Sequence, residues 1–185
     1  MRKNFGVKSW FYPLPILIVG TYDENGKADA MNAAWGGLYD SDLVELCLSA
    51  GHKTTKNIKA KKAFTVAFGT ADTVAACDYV GIVSANTESE KMQKAGFTAE
   101  KSKFVDAPVF NQLPLALECK LEKITEDGNV IGRIVNITAD ESILDENGEI
   151  SVEKLRPISY EPVKNGYYVL GEKVGAAFSD GKKLK

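Results

Sequence analysis

Ile16-Leu17-Ile18-Val19 runs into Asp23-Glu24-Asn25-Gly26-Lys27, and these two segments decide the fold. The first is apolar throughout and mostly β-branched, the pattern of a buried strand. The second holds Asn25-Gly26, whose residues tolerate positive φ and turn a chain back on itself. A return strand over 27–34 follows. The same grammar recurs downstream. Strands are predicted over 43–49, 63–68 and 166–171, and a long pair over 115–124 and 130–138 flanks Glu126-Asp127-Gly128-Asn129. In 43–49, Val44, Leu46 and Leu48 share one face, and Leu43, Glu45, Cys47 and Ser49 the other. Asp145-Glu146-Asn147-Gly148 is a further turn signal. Helices are expected over 54–62, over 72–83 with Val74, Ala75, Tyr79 and Ile82 as its apolar set, and over 88–95.

Strands joined by short turns, early, mid-chain and late, indicate an antiparallel barrel with helices packed outside it: a mainly β protein with peripheral helices. A doubly wound fold would need a Gly-x-Gly-x-x-Gly turn after its first strand, and the sequence has none. The 185 residues fit a single domain, 1–185, with no repeat and no linker long enough to divide it.

Composition excludes several classes of function. The formal net charge is −2, so no global field favours nucleic acid or an anionic membrane. The apolar run at 14–20 is far shorter than the roughly 20 residues that cross a bilayer, and the start lacks a signal-peptide core. A cytoplasmic protein is expected. Cys47, Cys77 and Cys119 are widely spaced and form no Cys-x-x-Cys, so they read as small buried hydrophobes. With His52 the lone histidine, a His-rich metal centre is excluded and no metal is expected. Trp10-Phe11-Tyr12 is an apolar N-terminal cluster that either packs on the barrel or lies in a dimer interface.

Chemistry concentrates between Asn32 and Asn57. Ser49-Ala50-Gly51-His52-Lys53-Thr54-Thr55 leads from a strand into a helix. A helix N-terminus presents unpaired N–H groups and a partial positive charge; two threonine hydroxyls and a lysine there would complete a phosphate cradle. The same residues would equally serve as an ordinary helix start, Thr54 capping and Lys53 in solvent. Asn32-Ala33-Ala34-Trp35-Gly36-Gly37 places small residues around one tryptophan, so a flat heterocycle could lie against backbone with Asn32 offering an amide. A glycine-bearing strand bend with a core tryptophan accounts for it as well. Read together, the two segments point to a ligand with a planar ring and a phosphate.

The order Pro15 to Thr21, the Asn-Gly turn, Asn32-Ala33-Ala34-Trp35 and His52-Lys53-Thr54-Thr55-Lys56-Asn57-Ile58 resembles the flavin reductase-like, FMN-binding split-barrel family, on its flavoredoxin branch. The similarity continues through Asp78 to Ser84, Ala107-Pro108 and Leu117-Glu118-Cys119, and ends with Tyr167 to Phe178. The resemblance implies a six-stranded antiparallel Greek-key split β-barrel and a homodimer with FMN held noncovalently near the interface. Carried over by position, Asn32, Ala33, Ala34 and Trp35 line the ring. Ser49, Ala50 and Gly51 approach the ribityl chain, and His52, Lys53, Thr54 and Thr55 hold the phosphate. Asn57, Ser84 and Phe178 are further cofactor contacts, Ser84 and Phe178 behind the first contacts or toward the partner subunit.

Flavin does the electron chemistry in such proteins, so no catalytic residue is named. The implied activity is that of an FMN-dependent oxidoreductase or electron carrier, serving a small-molecule or protein acceptor. The alternatives are an NAD(P)H:flavin oxidoreductase supplying reduced flavin to a partner, or a non-catalytic flavin-binding or sensing barrel. Nicotinamide-using relatives carry a Gly-Asp-His segment in the second half of the chain. This sequence has no histidine after His52, which leaves NADH or NADPH as donor in doubt.

Overall fold

The computed structural model describes residues 1–33 and 35–184. In chain order the elements are β1 Leu14–Pro15, β2 Leu17–Tyr22, β3 Ala28–Ala33, β4 Gly36–Asp40, β5 Leu43–Leu46, α1 Lys53–Lys61 and β6 Ala63–Phe68. There follow α2 Val74–Ile82, α3 Lys91–Ala95, β7 Ala99–Lys101, β8 Pro108–Phe110, β9 Leu115–Ile124, β10 Val130–Ala139, α4 Val152–Leu155, β11 Ile158–Glu161 and β12 Gly166–Val169.

The main sheet runs β3-β2-β6-β9-β10-β5-β4, with β1-β11-β12 and β7-β8 as small additions. Every pairing in it is antiparallel. Its two edge strands, β3 and β4, are consecutive in sequence and only residues 34 and 35 lie between them. Two residues cannot span a flat sheet of this width, so the sheet must curl until its edges meet. The result is the expected mainly β split barrel. Taken as one strand bent at that corner, β3 and β4 bring the strand count to six.

The curl gives β2 two buried faces. Leu17 and Val19 point into the barrel with Val44, Leu46, Phe64, Val66, Cys119 and Val130. Ile16 and Ile18 point outward and are covered by Cys77 and Val80 of α2 and by Phe110. That explains why β2 reads as a continuous apolar run while β5 alternates. Gly132 serves the interior: a Cβ there would stand 2.2 Å from the Phe64 ring.

Three tight turns share one mechanism. In 23–27, 125–129 and 145–149 the first residue exchanges backbone hydrogen bonds with the fourth and fifth, and its side-chain oxygen accepts from the fifth N–H. Gly26, Gly128 and Gly148 take the left-handed conformation at φ 79°, 90° and 78°. Only the glycine is left-handed; Asn25 and Asn147 are not. The hairpin is therefore a three-residue loop closed by an αL glycine, rather than a two-residue Asn-Gly turn.

Other expectations need correction. Cys47 is exposed whereas Cys77 and Cys119 are buried, because Cys47 falls on the outward face of the chain leaving β5. Helix α2 buries Cys77 and Val80 rather than the expected apolar set, and Ile82 stays 76% exposed; the helix is apolar nearly all round, so composition could not select its buried side. Trp10, Phe11 and Tyr12 are exposed and do not pack into the barrel core. No helix among the described residues is long and apolar enough to cross a membrane.

Candidate functional site

Helix α1 starts at the mouth of the barrel, with Thr54 on Asp29 of β3 and Ile58 reaching into the barrel interior. His52 is its N-cap in extended conformation, and its side chain makes no capping hydrogen bond. The first turn holds no acidic residue, so the positive end of the helix is left uncompensated by the helix itself. Beneath it, the Thr55 hydroxyl donates to the Ser49 carbonyl at 2.8 Å and the His52 N–H to the same carbonyl at 3.1 Å. These bonds fix the Ser49-Ala50-Gly51 turn, whose residues are exposed.

A cleft of about 130 Å³ opens at this end, lined by His52, Lys53 and Thr54 on one side. Gly81 to Ala85, including Ser84, form the facing wall, with Met31, Asp29 and Lys91 between. Asn57 faces a neighbouring cavity of about 430 Å³, where Asp23 and Asn25 of the first turn meet Lys53 and Lys56. Asn57 also donates to the Thr21 hydroxyl at 3.0 Å, pinning α1 to β2.

Charge in the cleft is arranged in two pairs. Lys91 and Asp29 are only 4% and 3% exposed, with Nζ 3.4 Å from Oδ1, and Lys91 donates to the Ala30 carbonyl at 2.6 Å. Burial pushes the Lys91 ammonium below its ordinary pKa, and Asp29 opposes that shift. Thr54 donates to the other Asp29 oxygen at 3.3 Å. Nearer the surface, Lys53 pairs with Asp23 at 3.1 Å. Burial alone would raise the Asp23 carboxyl. The Lys27 N–H, Lys53 and the Asn25 N–H together outweigh it and hold the group below its usual value.

Asn32 supplies the most informative single atom. Its Nδ2 donates to the Cys77 carbonyl at 3.2 Å, while its Oδ1 is buried with no partner. Buried acceptors without a donor cost roughly 1–3 kcal/mol, so such an atom marks a place where a partner belongs. Gly81 lies against it; a Cβ at 81 would come within 3.1 Å of the Asn32 Cβ.

The sequence-predicted residues thus divide. His52, Lys53, Thr54 and Ser84 line the cleft, Thr55 lies buried under it, and Ser49, Ala50 and Gly51 approach it as an exposed turn. Ala33 is buried in the barrel, so only its backbone is open to a ligand. Trp35, 59% exposed, lines a separate groove with Trp10, Phe11 and Pro13. Phe178 is 98% exposed in the C-terminal tail. Ala34 lies outside the described residues. Asp29, Lys91 and Asp23 were missed. One signal was available: Asp29 shares a face with Met31 and Ala33, a phase that buries a carboxylate and demands a cation.

Residues 9–160 match the flavin reductase like domain. The chain belongs to that family. Among solved structures, this flavin reductase-like protein is similar to the flavoredoxin of Desulfovibrio vulgaris (Miyazaki F), at 34% identity over 98% of this chain and 100% of that one, TM-score 0.94. It is similar to the flavoredoxin of Methanosarcina acetivorans at 25% identity over 100% of both chains, TM-score 0.90. An FMN-binding domain of a flavin reductases-like enzyme from Shewanella baltica shares the fold, at 21% identity, 88% and 89% coverage and TM-score 0.77.

Flavin chemistry fits the residues present. The unpartnered Asn32 Oδ1 is an acceptor for a ring N–H, and the start of α1 with Lys53 is a donor set for a phosphate.

Proposed function

We propose that the protein binds FMN noncovalently at the α1 cleft and acts as a flavoredoxin-type redox protein. The observation that carries this reading is a helix N-terminus with no acidic residue of its own opening on a cleft that bears Lys53; the unpartnered Asn32 Oδ1 lies outside that lining, against Gly81 of the cleft's far wall. FMN when bound supplies hydride or single-electron transfer. The polypeptide's share is placement. The N–H groups at the start of α1 orient the phosphate with Lys53, while the mutually neutralising pair Lys91–Asp29 fixes the cleft wall between β3 and α3. Asn32 Oδ1 accepts from a ring N–H, and Met31, Gly81 and Ile82 shield the cleft from water. No side chain is required to move a proton.

The working form is proposed to be a homodimer. Trp10, Phe11, Tyr12, Trp35, Leu38 and Tyr39 are all exposed, and large exposed apolar side chains are the material of association surfaces. The tail residues Val174, Phe178 and Leu184 are 95%, 98% and 91% exposed, which suits arms that lie on a second copy.

Absorbance of the purified protein tests the reading, followed by anaerobic titration with NADH and NADPH. A yellow protein with a flavin spectrum is expected. A colourless chain that FMN cannot reconstitute would refute it. Bleaching by either nicotinamide would identify an NAD(P)H-dependent oxidoreductase, and bleaching by neither a carrier reduced by another protein. Sedimentation at a monomer's mass would remove the dimer.

A further inference from the structure

The far end of α1 ends in a second cleft, of about 470 Å³, that the flavin reading does not use. Lys61 and Lys62 reach it from the helix, Lys101 and Lys103 from β7 and the turn after it, and Lys120 from β9. Cations at 61 and 62 are explained by the helix C-terminus they complement. Those at 101, 103 and 120 come from other elements and serve no helix.

Only one carboxylate, Asp106, lines the cleft; it lies 3.7 Å from Lys61 and 3.3 Å from Lys101. Among the described residues Lys62, Lys103 and Lys120 have no carboxylate within 4.0 Å. In a chain of net charge −2, this is a concentrated positive field. Phe104, 55% exposed, lines the same cleft.

Phe104 is held out by design of the turn beneath it. The Ser102 hydroxyl accepts the Phe104 and Val105 N–H groups, both at 2.9 Å, and itself donates to buried Glu118. Glu118 is fixed from its other oxygen by Asn136 Nδ2 at 2.7 Å. Ala63, Val105 and Ala107 form a packed floor. An exposed aromatic on a fixed turn, sharing a cleft with five lysines, has the composition of a small protein-docking surface: an apolar anchor with charges that steer the encounter.

We propose that this cleft docks the acidic surface of a protein redox partner. Its small size suits the transient contacts of electron carriers, which bury less than about 1,200 Å². The nine residues of α1 put the two clefts roughly 13 Å apart along the helix. That the partner exchanges electrons with this chain rests on the flavin reading; the docking surface itself does not. A single-stranded nucleic acid fits less well, since it needs successive aromatics along a basic track and this cleft offers one.

The test is calorimetric titration of the full-length protein at low ionic strength with a purified ferredoxin, taken as a small, strongly acidic carrier. Binding should weaken at least tenfold on raising salt to physiological strength, and at least tenfold in K62E/K103E/K120E. Phe104→Ser should weaken it without changing the salt slope. These side chains are exposed, and circular dichroism with the flavin spectrum checks that the variants fold. Absence of ferredoxin binding, unchanged affinity in the charge-reversed variant, or equal binding of inorganic triphosphate or an oligonucleotide would overturn the proposal. A colourless protein that FMN cannot reconstitute, yet that binds ferredoxin through these lysines, would refute the flavin reading and leave the docking surface standing.

Discussion

Replacing Lys91 with Met isolates the buried pair at the heart of the cleft. The substitution keeps the volume and deletes the ammonium, leaving Asp29 3% exposed beside an apolar chain. At 3.4 Å and an effective dielectric near 20, the lost attraction is about 5 kcal/mol. Removing one partner of a buried pair costs about 3–5 kcal/mol in practice. Lys91→Met should therefore lose about 3–5 kcal/mol in equilibrium urea unfolding, or roughly 10 °C in Tm for a chain of this length. Asp29→Asn in the same background removes the stranded charge while keeping an acceptor for Thr54, so the double variant should recover more than half of the loss. A loss below about 1 kcal/mol, or a strictly additive double-mutant cycle, would refute the claim that these two side chains form one energetic unit.

Gly132→Ala should cost about 1–3 kcal/mol, because its Cβ would overlap the Phe64 ring at 2.2 Å; Phe64→Leu should return part of that in urea unfolding. Lys53→Ala with Thr54→Ala should weaken FMN at least tenfold, about 1.4 kcal/mol or more, by flavin fluorescence titration, and unchanged flavin content would favour a helix start with no phosphate role. Asp23 is held below its ordinary pKa of 3.8, so its contribution is full above that value and lost as pH falls through the lower folded value. Thermal melts between about pH 5 and pH 2 should show an acid decline that Asp23→Asn reduces.

What the sequence shows well is whatever one segment decides alone. The predicted strand over 63–68 coincides with β6, and the pair around Gly128 matches β9 and β10 to within a residue, because strand alternation and a left-handed glycine act over a few neighbours. The start of α1 was legible for the same reason. Pairings between distant segments were not. Lys91 reaches Asp29 across 62 positions; the phase of Asp29 with Met31 and Ala33 hints that it needs a cation, and nothing local says which lysine supplies it. Lys91 opens a short polar helix and Asp29 sits between two alanines. The side of α2 that is buried was hidden too, since a helix apolar all round leaves the choice to the strands beneath it.

Lys61-Lys62 shows the same boundary from the functional side. In sequence the two lysines stand without an aromatic and read as solvated charge ending a helix. The fold brings Phe104 and Lys120 to them from elements 42 or more positions away, and only then does the group become an apolar anchor with charges beside it. Helix α1 is what couples the two surfaces. Asn57 ties its middle to Thr21 of β2, and the Lys62 N–H closes its C-terminal end onto the Ile58 carbonyl. A rigid element with a phosphate-attracting start and a cation-bearing finish sets the spacing between cofactor and partner by its length alone. Shifting the Lys61-Lys62 end by one turn, about 5.4 Å, would carry those lysines away from Phe104 while leaving the flavin cleft untouched, so docking should fail in such an insertion variant before FMN binding does.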